Sequence, residues 1–371
     1  TRLMTTSLIT FLVVLSILIL VHEFGHFIMA RRAGVLVEEF GFGLPPRVWG
    51  IKIGETLYSI NALPFGGFVK LYGEAEVERL KFPGRAFLNK DKKTRIGIIV
   101  AGVIMNFILA IVAFGIVYTV SGIPKETKNV KVVEIATSSP AQIAGLVIGD
   151  VVRKVNNEDV ISVGQFVDVT EKNKGKKIAL EIEKPSQGNL VKVTITPREN
   201  PPKGEGPLGV TITTSEIYFP PVVLRPFYGA YYGFKEALFW GKNVILGFVK
   251  IFSELFKGQA PKDIAGPIGI FAVTSAVSKV GILAVINFIG ILSVNLAVLN
   301  VLPFPALDGG RLLFIGLESI LGKKVLPKVE SFIHTIGMII LLILLLAITA
   351  HDIQRLIASG SLSKFVDSAL K

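Results

Sequence analysis

The chain has 371 residues, of which 51% are hydrophobic and only 18% charged, with a net charge of +12. That is too apolar for an ordinary soluble enzyme and reads as an integral membrane protein. With no cysteine, disulfide scaffolds, thiolate metal sites and cysteine nucleophiles are excluded; the basic excess is scattered rather than clustered with aromatics, which argues against nucleic acid as a partner and leaves the charge to membrane topology.

The first element is an uncharged run over 3–21 that ends in "VHEFGH". It is long enough to cross a hydrocarbon layer of about 30 Å. It is expected to be retained rather than cleaved as a signal peptide, because the apolar stretch is too long and no small-residue cleavage site follows. On a helix, His22 and His26 are four residues apart and share a face, with Glu23 beside them. That spacing lets two imidazoles hold one zinc ion while a carboxylate addresses water. Chance occurrence is rare, and an unpaired carboxylate near a bilayer is costly.

Residues 31–95 carry twelve Lys and Arg, including Arg31, Arg32, Lys92, Lys93 and Arg95 near the membrane ends. The positive-inside rule puts this loop in the cytoplasm. Within it, 56–72 has β-rich flanks around Pro64-Phe65-Gly66-Gly67 and is expected to form a β-hairpin, which the residues alone leave open as an ordinary cytoplasmic one. A second uncharged run covers 96–124. Charges, turn signals and alternating strands such as "VKVTITP" then mark an extracytoplasmic domain over 130–214.

Residues 227–257 are apolar, but Lys235, Glu236, Lys242, Lys250, Glu254 and Lys257 fall on one helical stripe of about 120°. This predicts an amphipathic helix on the outer interface, because Lys242 and Lys250 at mid-membrane would cost roughly 3 kcal/mol each. The uncharged stretch 264–278 is too short to span and reads as interfacial or re-entrant. A third span is expected over 281–307 and a fourth over 331–350, joined by a loop with Arg311, Lys323, Lys324 and Lys328 that again belongs inside.

Zinc sites of this kind usually take three protein ligands and leave one position open. Of the other histidines, His334 lies in the fourth span and His351 at its outer end, and each reads better as hydrogen-bonded structure. Asp308 in "NVLPFPALDGGRL" is the better third ligand, since the first and third spans run in the same direction and bring it to the depth of His22 and His26. The bland alternative makes Asp308 a helix cap in a turn.

"HEFGH" in a first span, "NVLPFPALDGGR" after a later one and an insert between them together resemble the bacterial site-2 protease family. These are intramembrane zinc metalloproteases related to the regulator of sigma-E protease. The resemblance covers nearly the whole chain. It implies one Zn2+ held by His22, His26 and Asp308, with Glu23 as general base. It also implies a substrate-binding role for Asn295, Asn300, Pro303 and Pro305, and for the β-element around Gly66 and Gly67, whose edge would receive an unwound substrate strand. "AGVIMNF" around Asn106 resembles the family's second core helix, with Val103 where the family often has proline. "SSPAQIAGLVIGDVVRKVNNEDV" resembles the core of a PDZ domain, and only one such unit is present, as in the single-PDZ branch.

The expected fold class is thus a polytopic α-helical membrane protein with four transmembrane helices, a membrane-associated β-hairpin and an inserted extracytoplasmic PDZ (α+β) domain. Its expected divisions are 1–32, 33–95, 96–124, 125–215, 216–280, 281–330 and 331–371. The resemblance implies residence in a bacterial cell membrane, with the active site toward the cytoplasm and both termini outside. Its implied substrates are transmembrane helices of single-pass proteins, such as anti-sigma factors or remnant signal peptides, and the PDZ groove could take a C-terminal peptide. Two readings from other classes are a catalytically inactive PDZ scaffold and an ion or proton transporter. Glu23 has no use in the first, and the inverted repeats expected of the second are missing.

Overall fold

A computed structural model describes residues 2–74, 80–185, 189–202, 204–258, 266–322 and 326–360. It divides into two compact units, 1–120 with 223–371 and 121–222. The expected tail over 361–371, the basic residues Arg79, Lys323 and Lys324, and part of 264–278 lie outside the described residues.

The first unit opens with helix α1 (Arg2–Arg32), followed by β1 (Val37–Ile53), β2 (Thr56–Leu71) and helix α2 (Lys92–Ser121). The pairing register corrects the expected hairpin. The flanks 56–61 and 67–71 do not pair with each other. Residues 39–42 lie between them, pairing with 57–60 on one side and 67–70 on the other, while 47–53 pairs with 56–61. The result is a four-rung mixed sheet in the order 47–53, 56–61, 39–42, 67–71, in which 39–42 and 57–60 run in the same direction, the outer two pairings are antiparallel, and 67–71 lies at one edge. The reason is local: β1 is 17 residues long and bends at Pro45-Pro46, so it folds back and supplies two rungs itself. Phe27, Val37, Leu71, Phe87, Ile98 and Ile315 form one buried cluster that packs the sheet against α1 and α2.

The second unit holds β3 (Ile123–Ile135), α3 (Pro140–Ile143), β4 (Val151–Val155), β5 (Glu158–Asp159), α4 (Val163–Lys172), β6 (Ile178–Glu183), β7 (Leu190–Ile195) and β8 (Val210–Tyr218). The sheet runs β7-β6-β4-β3-β8, with β5 on β4, and every pairing is antiparallel. Alternation fixes its faces: Ile178, Leu180 and Ile182 are buried while Ala179, Glu181 and Glu183 turn outward. Ser139 and Ser162 cap α3 and α4 by accepting from the N–H of Gln142 and Gln165.

The chain then returns to the first unit through α5 (Arg225–Phe256), α6 (Pro267–Val280), α7 (Ile282–Val301), α8 (Asp308–Leu321) and α9 (Pro327–Ser359). Among the described residues four helices, α1, α2, α7 and α9, are long and apolar enough to cross a membrane. Helix α7 stops at Val301 because Pro303 and Pro305 follow: neither can donate a backbone N–H, and each biases its predecessor to extended backbone.

Helix α5 departs from the expectation of a helix lying flat on the outer interface. Its first half runs antiparallel to α2, with Gly229 against the Gly115 carbonyl and Thr119, and Gly233 against Ile111 and Gly115. Ala237 is buried with Ala110, Phe114 and Val294. Small residues every fourth position let the two backbones approach, which is the packing that apolar helices use where lipid offers no hydrophobic driving force. Charge does not prevent this, because the Glu236 carboxylate accepts from Tyr118 Oη at 2.9 Å and from Trp240 Nε1 at 3.0 Å. Interhelical bonds of this type are worth about 0.6 kcal/mol on average.

Candidate metal centre and active site

Helix α1 places His22 and His26 one turn apart on the face toward α2, with their Nε2 atoms 3.1 Å from each other. The first residue of α8 completes the group: Asp308 Oδ2 lies 3.1 Å from His22 Nε2 and 3.2 Å from His26 Nε2. Asp308 makes no capping bond, and the residue before α8 is Leu307. The carboxylate is therefore turned to the imidazoles rather than spent on a turn. Among the described residues these three are the cluster of metal-ligating type.

Second partners test whether a metal fits. His26 Nδ1 donates to the carbonyl of Ile98 at 2.8 Å, which leaves a lone pair on Nε2. His22 Nδ1 stands 3.2 Å from the side-chain amide of Asn106, a wholly buried residue whose Oδ1 has no partner when its nitrogen faces His22. Turned about, Asn106 accepts the Nδ1 proton through Oδ1, which leaves a lone pair on His22 Nε2. The two Nε2 lone pairs and a carboxylate oxygen then converge with no proton between them, an arrangement that calls for a cation. Zinc at its usual 2.0–2.1 Å from tetrahedral nitrogen and oxygen ligands sets them about 3.3 Å apart. The observed spacings of 3.1–3.2 Å fit.

Glycines make the geometry reachable. A Cβ on Gly102 of α2 would collide with the His26 ring and crowd that of His22. Cβ atoms on Gly309 and Gly310 would meet the backbone carbonyls of Leu302 and Phe304. The start of α8 thus tucks under the end of α7, which carries Asp308 back toward α1.

Glu23 is half-buried and lines a cavity of about 390 Å³ with His22, His26, Phe68, Leu307 and Asp308. A neighbouring cavity of about 630 Å³ shares Phe68, Glu74, Arg311 and His334 with it. Arg311 pairs with Glu74. Burial opposes its charge, but the carboxylates of Glu74 and Asp308 hold the guanidinium pKa above its ordinary value.

The remaining expected residues divide. Gly67 passes along Glu23: a Cβ there would stand 3.5 Å from Glu23 Cγ, so the edge rung 67–71 borders the cavity. Gly66 has φ +92°, a backbone region that favours glycine. Asn300 is buried with Nδ2 3.4 Å from His22 Nε2. Asn295 is half-buried on α7 and does not line the cavity. Pro303 is exposed and Pro305 packs under Gly337 of α9. Sequence reasoning assigned nothing to Gly102 and no role to Asn106. Their spacing of four residues, which puts both on one face of α2, is the signal that could have found them.

The sequence matches peptidase family M50 over residues 10–344. A chain from Clostridium acetobutylicum is 38% identical over 91% of this chain and 94% of its own length. Zinc metalloprotease RasP of Geobacillus kaustophilus is 30% identical over 94% of this chain and 98% of its own, and regulator of sigma-W protease RasP of Bacillus subtilis is 28% identical over 94% and 99%. Among solved structures, the PDZ domain of an SdrC-like protein from Listeria monocytogenes matches at 20% identity with a TM-score of 0.21, over 23% of this chain and 88% of that one. With a family match over most of its length, two imidazoles and a carboxylate grouped closely enough to hold a metal ion, and four helices among the described residues able to cross a membrane, this chain belongs to peptidase family M50, the site-2 type of zinc metalloendopeptidase.

Proposed function

We propose that the protein hydrolyses peptide bonds within the transmembrane helices of single-pass membrane proteins. The observation that carries this reading is the convergence of His22, His26 and Asp308 at 3.1–3.2 Å, with Glu23 facing the same cavity. In this reading His22, His26 and Asp308 hold the zinc, and Asn106 and the Ile98 carbonyl orient the two imidazoles. Zinc supplies Lewis-acid activation of water and of the scissile carbonyl. Glu23 takes the proton of the attacking water and delivers it to the leaving nitrogen.

A substrate helix hides its carbonyls in i to i−4 hydrogen bonds, so it must unwind before it can be cut. The edge rung 67–71 borders Glu23, and no strand pairs with the outer side of 67–69 among the described residues. It receives the unwound segment by strand addition. Asn300 bonds that segment's backbone. The basic loop 31–95 supports an orientation with the site toward the cytoplasm and the second unit and both termini outside. That second unit acts as a PDZ domain, a reading supported by its sequence motif and by β8, an edge strand with α4 beside it. It binds a C-terminal peptide or excludes proteins with bulky outer domains. Anti-sigma factors and remnant signal peptides are the proposed substrate classes.

Comparative membrane proteomics of cells carrying the wild-type chain or Glu23→Gln tests this. Single-helix fragments should accumulate with the variant. Identical membrane proteomes would contradict the reading.

A further inference from the structure

The loop between α7 and α8 carries a strained residue two positions before Asp308. Ala306 has φ +76°, a left-handed backbone that a non-glycine residue adopts at a cost. Such conformations persist only where surrounding structure holds them. Here the hold comes from α9. The backbone N–H of Ala306 donates to His334 Nδ1 at 2.9 Å. One turn further along the same face, Gly337 has no side chain where a Cβ would press into the Cβ and carbonyl of Pro305. Helix α9 therefore grips 305–306 through one acceptor and one gap.

The chemistry of that bond restricts His334. Nδ1 can accept from Ala306 only if it carries no proton, so the ring proton sits on Nε2. Nε2 is buried without a hydrogen-bond partner, and Glu330 Oε1 lies 4.0 Å away, beyond hydrogen-bond reach. The imidazole lines the same cavity but is not part of the His22, His26 and Asp308 group. Its one hydrogen bond leads to the peptide that sets the direction of Asp308.

We propose that His334 is a positioning residue: by accepting the Ala306 N–H it fixes the left-handed turn that presents Asp308 to His22 and His26. This rests on the reading of Asp308 as a metal ligand. What the site requires of residue 334 is an acceptor at the Nδ1 position, not a titrating ring. Asparagine offers one, since its Oδ1 is the same number of bonds from Cα. Leucine does not.

The test uses full-length protein purified in detergent as wild type, His334→Asn, His334→Leu, Gly337→Ala and Asp308→Ala. Zinc affinity is read by chelator competition, the ligand field by the visible spectrum of the cobalt-loaded protein, and kcat and KM on a single-helix substrate. His334→Leu should weaken zinc binding by about 10- to 100-fold, as loss of an orienting partner does. It should also change the cobalt spectrum and lower kcat with little change in KM. Gly337→Ala, which pushes on Pro305 and leaves the imidazole in place, should act in the same direction even if His334→Leu fails to fold. His334→Asn should restore zinc affinity, spectrum and kcat toward wild type. Equal damage from Asn and Leu, or wild-type zinc affinity and spectrum in both His334→Leu and Gly337→Ala, would overturn the positioning role. If Asp308→Ala keeps its zinc, the ligand assignment itself has failed; if only that variant loses zinc, the ligand assignment stands and the positioning role falls.

Discussion

Gly102 and His26 stand on facing helices so close that a single added methyl group on Gly102 would occupy the space of the His26 ring. The proposed zinc site is therefore defined as much by an absent side chain as by its ligands. Gly102→Ala should displace both imidazoles and reduce zinc affinity on the order of 10-fold or more, by the scale seen for misdirected ligands. Chelator competition measures it. Unchanged affinity would show that α1 and α2 can separate at this point without cost.

The pair Arg95–Glu318 ties the start of α2 to α8 below the metal site. Their side chains are 3% and 4% exposed, and Lys92 Nζ adds a bond to the Glu318 carbonyl at 3.0 Å. Removing one member leaves a buried charge without its partner, a loss of roughly 3–5 kcal/mol, whereas replacing both with apolar residues can be neutral. Thermal unfolding in detergent should show Glu318→Gln well below wild type and the double change Arg95→Met with Glu318→Met close to it. Equal melting of Glu318→Gln and wild type would mean water reaches the pair.

The edge rung makes a periodic prediction. Successive N–H groups along a strand alternate between its two sides. Single prolines at Phe68, Val69 and Lys70 should therefore alternate in effect. Those that remove an outward N–H should slow cleavage with zinc content unchanged, and those that break pairing with 39–42 should damage the fold. A uniform effect would make the sheet scaffold only.

Substrate helices should respond as well. Each Gly near the cut lowers the cost of unwinding by about 1 kcal/mol, roughly a fivefold gain in rate if unwinding limits cleavage. Measured kcat/KM on a Gly-substituted series against all-Leu helices checks this. Equal rates across the series would place the limiting step elsewhere.

Much of this was legible in the sequence because its signals are local and chemical. His22, Glu23 and His26 are fixed by helical spacing, and Asp308 followed from counting uncharged runs and their direction. Four helices able to cross a membrane match that count. The sheet was not legible: alternation marks 56–72 as strand but cannot say that 39–42 threads between its flanks. Helix α5 was misread because its charged stripe is more conspicuous than its glycine ridge at 229, 233 and 241, and charge can be satisfied by Tyr118 and Trp240. His334 reads in the sequence as a hydrogen-bonded residue, but its partner Ala306 stayed hidden because a single histidine on an apolar helix carries no spacing from which a partner could be inferred.

The most direct test of the central claim is zinc per polypeptide, measured by elemental analysis on Glu23→Gln and Asp308→Ala purified beside wild type, with cleavage assayed on the same samples. Glu23→Gln should hold one zinc and cut nothing, because the ligands survive and the proton acceptor is lost. Asp308→Ala should lose most of its zinc and its activity together, because two imidazoles alone leave the metal under-coordinated. Turnover at the wild-type rate by Glu23→Gln, or a full zinc complement in Asp308→Ala, would contradict the account.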